Sequence, residues 1–250
     1  MGKTEKKEKR FGLLGKNISY SFSKGYFTKK FESLGLDDHS YENFDIPNIT
    51  EFKALISDNR LSGMNVTIPY KELVMPYLQD LDDTAKSIGA VNTIRFTEHG
   101  LIGFNTDYYG FQKSLEPALK PTHNKALILG TGGASKAVSY ALEQLNIENV
   151  LVSRSSKPGQ LTYKELSQEL ITEFTVIVNC TPLGTYPKVK DKPDLPYEYL
   201  TSKHLLFDLI YNPSKTTFLE LGALNGATII NGQKMLEYQA EKAWEIWNTP

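Results

Sequence analysis

A chain of 250 residues is long enough for one large domain or two modest ones, each with its own core. Its 28 basic and 29 acidic residues leave a net charge of −1, which gives no electrostatic reason to expect nucleic acid or an anionic membrane as a partner. The single cysteine, Cys180, excludes an internal disulfide framework and suits a reducing cytoplasm, and no apolar run reaches membrane-spanning length.

Residues 1–10 are lysine-rich but contain Glu5 and Glu8 and lead into no signal-like apolar segment, so they read as a solvated tail. Phe11 to Leu14 is a short apolar run ending at Gly15, a first strand. Ser19, Ser21 and Ser23 then cluster before a helix whose apolar residues, Tyr26, Phe27, Phe31 and Leu34, follow helical spacing. Serines in that position either cap the helix or donate to a ligand. Tyr41 to Ile46 alternates as a strand, and Ile49 to Ile56 reads as a helix capped by Asn48 or Thr50.

Met64 to Ile68 is a strand that Pro69 ends, and Pro69 suits the first turn of the next helix. Asn65 and Thr67 share a face by period two, with Lys71 just beyond. Polar groups closing an apolar strand beside a lysine suit an oxygen-rich ligand; the alternative for Lys71 alone is a solvated helix lysine. Asp80 to Lys86 reads as an acidic, solvated segment. Ile88 to Phe96 and Leu101 to Phe104 then form a β-hairpin around Thr97-Glu98-His99-Gly100. The hairpin returns Asn92 and Asn105-Thr106-Asp107 to the same end, where Asp107 either serves a ligand or caps the helix from Tyr108 to Leu115.

From Lys125 the text changes character. Ala126 to Leu129 is a strand of consecutive apolar residues, followed at once by Gly130, Thr131, Gly132, Gly133 and Ala134 and then by a helix with Ala137, Val138, Ala141, Leu142 and Leu145 at helical spacing. A helix N-terminus behind a glycine turn is an anion cradle, because its unpaired N–H groups and its dipole both favour a phosphate. Ser135 holds the place of the last glycine of G-x-G-x-x-G, so the motif also admits an ordinary tight turn. The next strand, Glu148 to Val152, runs into Ser153, Arg154, Ser155, Ser156 and Lys157. An NAD site places an Asp or Glu there for the ribose 2′-OH. Here the first carboxylate after Ser153 is Glu165, whereas the hydroxyls, Arg154 and Lys157 suit a 2′-phosphate. The cofactor implied is NADP.

Phe174 to Asn179 is a central strand ending at Thr181-Pro182, and Tyr186 to Tyr197, rich in Pro and Lys, is a loop. Cys180 reads as a small residue beside the cofactor rather than a nucleophile. Leu205 to Ile210 is a strand, Thr216 to Leu224 a helix, Thr228 to Ile230 a last short strand, and Met235 to Trp247 a long amphipathic helix. His39, His99, His123 and His204 lack metal-ligand spacing, so no metal is expected.

Taken in order, Ser21-Phe22-Ser23, Gly63-Met64-Asn65-Val66-Thr67-Ile68-Pro69-Tyr70-Lys71, Gly89-Ala90-Val91-Asn92-Thr93, Gly103-Phe104-Asn105-Thr106-Asp107, Gly130-Thr131-Gly132-Gly133-Ala134, Asn179-Cys180-Thr181-Pro182 and Gly232 to Gln239 resemble the motif set of the shikimate dehydrogenases. The resemblance spans nearly the whole chain after the tail. It implies an α/β fold in two parts: residues 1–107 as a substrate domain with a mixed sheet, and 108–231 as a doubly wound Rossmann domain for NADP, with a cleft between them. Residues 232–250 would form a C-terminal helix packing back on the substrate domain. By the same resemblance Ser21 and Ser23 meet the substrate carboxylate, and Asn65, Thr67, Asn92, Asp107 and Gln239 hold the ring hydroxyls. Lys71 transfers the proton, Tyr211 closes over the carboxylate end, and the Gly232 backbone approaches the nicotinamide. Tyr20 and Lys24 stand where the family usually has His and Pro, and Ser153 where Asn is commoner.

The implied reaction is the reversible NADPH-dependent reduction of 3-dehydroshikimate to shikimate, on the way to aromatic amino acids. A ketone reduction needs a hydride and a proton for the oxygen. Lys71 is the residue to protonate, and Asp107 the carboxylate to orient that lysine, so the pair is the expected catalytic unit. A quinate/shikimate dehydrogenase of broader specificity and a non-catalytic sensor on the same fold are the alternatives. The expected state is a cytoplasmic monomer or homodimer whose only partner is a small-molecule substrate.

Overall fold

The computed structural model describes residues 8–19, 21–57 and 61–249. Tyr20 and most of the expected tail therefore lie outside the described residues. The chain divides into two compact units, one running through Thr106 and resuming at Ala240, the other Asp107–Gln239. The second boundary falls inside the C-terminal helix rather than before it at residue 232. Met235 on the first turns of that helix belongs to a core of the second unit, whereas Ala240, Ala243 and Trp247 belong to a core of the first.

In the first unit β1 (Lys9–Gly15) is followed by α1 (Phe22–Ser33), β2 (His39–Asp45) and a 3₁₀ turn, Ile49–Glu51, that runs into α2 (Phe52–Ile56). Next come β3 (Leu61–Val66), α3 (Tyr70–Leu73), β4 (Asp80–Leu81), α4 (Asp83–Ile88), β5 (Thr93–Thr97) and β6 (Gly100–Phe104). The mixed sheet has the order β2-β1-β3-β5-β6-β4, parallel across β2, β1 and β3 and antiparallel from β3 to β5 to β6. Alternation along β1 gives the sheet two buried faces. Leu14 packs with Phe52, Met64, Val66 and Ile94, while Phe11 and Leu13 pack with Phe27, Phe31, Tyr41 and Trp247. Trp247 lies against Gly63, where an added Cβ would sit 2.5 Å from the indole, and donates from Nε1 to the Ile94 carbonyl at 3.0 Å.

Two sequence expectations are corrected here. Lys9 and Arg10 are not tail but the start of β1, held by parallel pairing to His39 and Ser40 and by the Arg10–Glu42 ion pair at 2.9 Å. The acidic segment 80–86 is structured too. β4 pairs with β6, and Asp82 caps α4 by accepting from the Ala85 N–H at 2.8 Å, so that Ala85 and Ile88 are buried.

The second unit comprises α5 (Asp107–Leu115), β7 (Lys125–Leu129), α6 (Gly133–Gln144), β8 (Glu148–Ser153), β9 (Gln160–Thr162) and α7 (Gln168–Glu173). It continues with β10 (Val176–Asn179), β11 (Leu205–Asp208), α8 (Thr217–Leu224), β12 (Thr228–Ile230) and the first half of α9 (Gln233–Asn248). Its six strands are all parallel in the order β12-β11-β10-β7-β8-β9, the doubly wound Rossmann arrangement, and the strand order reverses between β7 and β10. Both faces of the strands are buried. Leu127, Ile177 and Leu206 point to the side of α7 and α8, and Ile128, Val178 and Phe207 to the side of α5 and α6.

Candidate active site

The carboxyl end of β3 carries the polar residues of the first unit. Asn65 is buried, and its Oδ1 accepts from the Tyr41 phenol at 2.7 Å. Its Nδ2 donates to the Asn92 carbonyl at 3.3 Å and to Thr93 Oγ1 at 3.2 Å. Asn92 is buried as well. Its Oδ1 takes the Thr106 N–H at 2.6 Å, and its Nδ2 donates to Thr106 Oγ1 at 2.9 Å. Asn105 donates from Nδ2 to the Ala90 carbonyl at 2.9 Å. These bonds draw the end of β3, the 90–93 segment and the end of β6 into one polar cluster, in which the orientation of each amide is fixed by its partners.

Lys71 joins the cluster through its backbone. The Val91 N–H donates to the Lys71 carbonyl at 2.8 Å, and the Thr67 N–H to the Leu14 carbonyl at 2.8 Å, so the turn between β3 and α3 is tied on both sides. Thr67 and Lys71 are half-buried, and Ile68 between them is exposed because the strand ends at Val66 rather than at Ile68. Of the three clustered serines, Ser21 is the N-cap of α1 and accepts from the Lys24 N–H at 3.3 Å. Ser23 stands in the first turn of α1, with its hydroxyl beside the Tyr41 phenol. Ser21 also borders an open hollow of about 460 Å³ with Ser19, Lys24, Thr28 and Asn43.

The second unit holds the other expected residues. Asp107 is buried at the start of α5. One turn on, Gly110 meets α9 so closely that a Cβ there would overlap the Met235 carbonyl and lie 3.0 Å from the Cβ of Gln239. That contact sets Asp107 and the buried Gln239 on facing sides of α5 and α9. Gly232 presses on the Leu209 carbonyl, where any side chain would collide, and its N–H donates to the Ile210 carbonyl at 3.0 Å. Tyr211 follows in the same loop, and partial burial raises its phenol pKa.

The glycine turn lies at the point where the sheet order reverses. Gly130 has a φ of 108°, open to glycine, and a Cβ there would sit 3.3 Å from the Cys180 carbonyl and from Thr181 Cγ2. Gly132 caps α6 with open space where a side chain would be, and Thr131 and Gly132 are exposed. Ser135 turns inward and donates to the Gly132 carbonyl at 2.6 Å, which suits the tight turn that a third glycine would otherwise make. At the end of β8, Arg154, Ser155 and Lys157 are exposed. Ser153 is buried, and its Oγ accepts from the Ser155 N–H at 3.2 Å, so it shapes the turn from below. Glu165, the first acid after it, is spent on a capping box with Thr162. This is a surface that fits NADP: an open helix N-terminus for the pyrophosphate and two cations free of a neighbouring carboxylate in sequence for a 2′-phosphate.

Two residues to which the sequence assigned no role belong here. Asn179 Oδ1 accepts from the Thr181 N–H at 3.0 Å and from its hydroxyl at 2.7 Å, fixing Thr181 beside Gly130. Asp208 Oδ1 accepts from Asn179 Nδ2 and the Ile210 N–H, each at 3.0 Å, and Oδ2 accepts from the Thr216 hydroxyl at 2.5 Å. Burial holds the Asp208 carboxyl up at about 6. A carboxylate closing the apolar run Leu205–Asp208 was the available signal. Burial and the neighbouring Asp208 also push the Cys180 thiol up, which leaves it a poor nucleophile. Among the described residues no cluster of His, Cys, Asp and Glu could hold a metal ion, and no helix is long and apolar enough to cross a membrane.

A family model for the shikimate dehydrogenase substrate binding domain matches residues 13–94. The "Shikimate dehydrogenase (NADP(+))" of Clostridium botulinum is 37% identical over 247 residues, covering 94% of this chain and 95% of the relative. The chain belongs to the shikimate dehydrogenase family. Among solved members and their fusions, the chorismate mutase/shikimate 5-dehydrogenase fusion protein of Clostridium acetobutylicum is 35% identical with a TM-score of 0.86, over 96% of this chain and 91% of that one. The shikimate 5-dehydrogenase of Thermus thermophilus, solved in complex with NADP(H) and shikimate, is 31% identical with a TM-score of 0.82, over 96% and 93%. The substrate-domain match begins within β1 and ends within β5, so in this family member it takes in Ser21, Ser23, Asn65, Thr67, Lys71 and Asn92.

Proposed function

We propose that the protein catalyses the reversible NADPH-dependent reduction of 3-dehydroshikimate to shikimate, a step towards chorismate and the aromatic amino acids. What carries the reading is the polar cluster at the end of β3. The buried amides of Asn65 and Asn92 are held in set orientations next to the turn that bears Lys71, as a polyhydroxylated ring requires. Whole-length relatives named as NADP(+) shikimate dehydrogenases support it and do not favour the broader quinate reading or the sensor reading.

When bound, NADPH would supply the hydride to the carbonyl carbon. Gly130, Thr131, Gly132, Gly133 and Ala134 would hold its pyrophosphate, and Arg154, Ser155 and Lys157 its 2′-phosphate on a turn shaped by Ser153. Thr181 and Gly232 would flank its reactive end. Lys71 protonates and stabilises the oxygen as charge develops on it, and Asp107 orients that ammonium and accepts from a neighbouring ring hydroxyl. Asn65, Thr67, Asn92 and Gln239 fix the ring. Ser21, Ser23 and Tyr211 hold the carboxylate, which anchors the substrate away from the reacting carbon. We also place the protein in the cytoplasm as a monomer or homodimer, with no nucleic-acid or membrane partner, in keeping with its near-zero net charge. The test is a spectrophotometric assay with shikimate or quinate and with NADP or NAD in all four combinations. The expected result is fast turnover with shikimate and NADP; absence of shikimate turnover would sink the reading.

A further inference from the structure

Tyr41 sits on β2 with its ring stacked on Phe27, centroids 4.7 Å apart, and 6.4 Å from Trp247. Phe27 and Trp247 also pack on each other, centroids 5.2 Å apart, so the Tyr41 ring is held in one aromatic cluster, and its hydroxyl donates to Asn65 Oδ1 at 2.7 Å. Burial pushes the phenol pKa far up, so the group is a neutral donor at any physiological pH. The two hydrogens of Asn65 Nδ2 are directed at the Asn92 carbonyl and Thr93 Oγ1. An amide has two donor hydrogens and two acceptor lone pairs. With three of these four taken by protein, Asn65 keeps the second lone pair of Oδ1 for a ligand. The Ser23 hydroxyl lies near the phenol oxygen and offsets a little of that burial effect. One buried hydroxyl thus stands behind two residues that the proposed function sets on the substrate.

We propose that Tyr41 is a positioning residue for substrate: its hydroxyl pins the amide of Asn65 so that Oδ1 is presented as the acceptor for one ring hydroxyl. Without that hydroxyl the amide keeps only its two Nδ2 bonds, and Oδ1 is held less firmly where the ring hydroxyl needs an acceptor. The proposal rests on the shikimate dehydrogenase reading.

The test is Tyr41→Phe, which keeps the ring stacking, measured beside Asn65→Ala and the double variant. The expected result for Tyr41→Phe is a shikimate KM raised about five- to tenfold, a smaller fall in kcat and an unchanged KM for NADP. In the Asn65→Ala background the same change should alter the shikimate KM by less than about twofold, because Tyr41 acts through Asn65. An unchanged shikimate KM in Tyr41→Phe would overturn the proposal, as would its full effect persisting without Asn65. A parallel rise in the NADP KM would also overturn it, in favour of a general structural role. A wild-type protein that fails to oxidise shikimate overturns the functional reading, and this proposal with it. That outcome is distinct from an active wild type whose Tyr41→Phe variant is unaltered.

Discussion

Asn179 Nδ2 donates to Asp208 Oδ1 at 3.0 Å, joining the carboxyl ends of two neighbouring parallel strands, β10 and β11, through their side chains. Each partner then fixes a different loop: Asn179 holds Thr181 beside the glycine turn, and Asp208 holds the Ile210 N–H next to Tyr211. One buried carboxylate thus steadies both the segment beside the glycine turn and the tyrosine loop. This is why an acid is tolerated in an otherwise apolar strand.

Tolerating it has a pH signature. The Asp208 carboxyl is raised from 3.8 to about 6, burial outweighing the hydrogen bonds from Thr216, Ile210 and Asn179. An acid with a raised folded-state pKa binds more protons in the folded than in the unfolded state between those values. Its contribution to stability therefore falls as pH rises from about 4 to about 6, and the full penalty stands above that. Asp208→Asn keeps the shape and is uncharged throughout. The difference in unfolding free energy, variant minus wild type, should grow by about 2–3 kcal/mol between pH 4 and pH 7. Urea unfolding of both proteins across that range measures it. A constant difference would mean that Asp208 is not held protonated by its surroundings.

Arg154 is exposed at the end of β8, and the first acid beyond it, Glu165, is engaged by Thr162. Arg154→Glu should raise the KM for NADP about ten- to a hundredfold, through a lost charge-assisted bond and repulsion of the 2′-phosphate. The KM for shikimate should hardly move. Steady-state kinetics with NADP and NAD side by side check it. An equal loss with both cofactors would place Arg154 elsewhere than on the 2′-phosphate.

Ser21 and Ser23 look alike in the sequence but not in the structure. Ser21 caps α1, whereas Ser23 lies beside Tyr41. Ser21→Ala should therefore lower stability by about 1 kcal/mol as well as raise the shikimate KM. Ser23→Ala should raise that KM with little loss of stability, and in both the KM effect should exceed the kcat effect. Thermal unfolding alongside kinetics separates the two. Normal KM in both variants would reduce the pair to a helix cap and its neighbour.

The strands and helices with long apolar periods were legible because burial on a regular element writes itself as spacing: β7, α6, β10 and α9 are of this kind. β4, α4, β9 and α7 were not. Each is short, and α4 buries just Ala85 and Ile88, too little pattern to stand out from a charged segment. Candidate site residues were read from motifs, but the groups behind them, Tyr41, Asn179 and Asp208, take their meaning from partners far away in the chain. Tyr41 meets Asn65 across 24 residues, and Asp208 meets Asn179 across 29. Such partners exist only once the sheets are assembled.

Lys71 and Asp107 are proposed as one catalytic unit, and the way their losses combine tests that idea. Lys71→Ala should reduce kcat by about a hundred- to ten-thousandfold with a smaller change in KM, because its interaction strengthens as the ketone oxygen gains charge. The fold should survive, since the bond that ties this turn to Val91 uses the Lys71 backbone carbonyl, which alanine keeps. Asp107→Asn keeps the size and some hydrogen bonding but removes the charge that orients the ammonium, so it too should be severely slowed. If Asp107 acts through Lys71, it has nothing left to orient once the lysine is gone. The double variant should then be hardly slower than the worse single one. Measuring kcat for both singles and the double, with circular dichroism to exclude misfolding, decides it. Fully multiplicative losses would show two independent residues, and a near-normal Lys71→Ala would leave the proton to some other group.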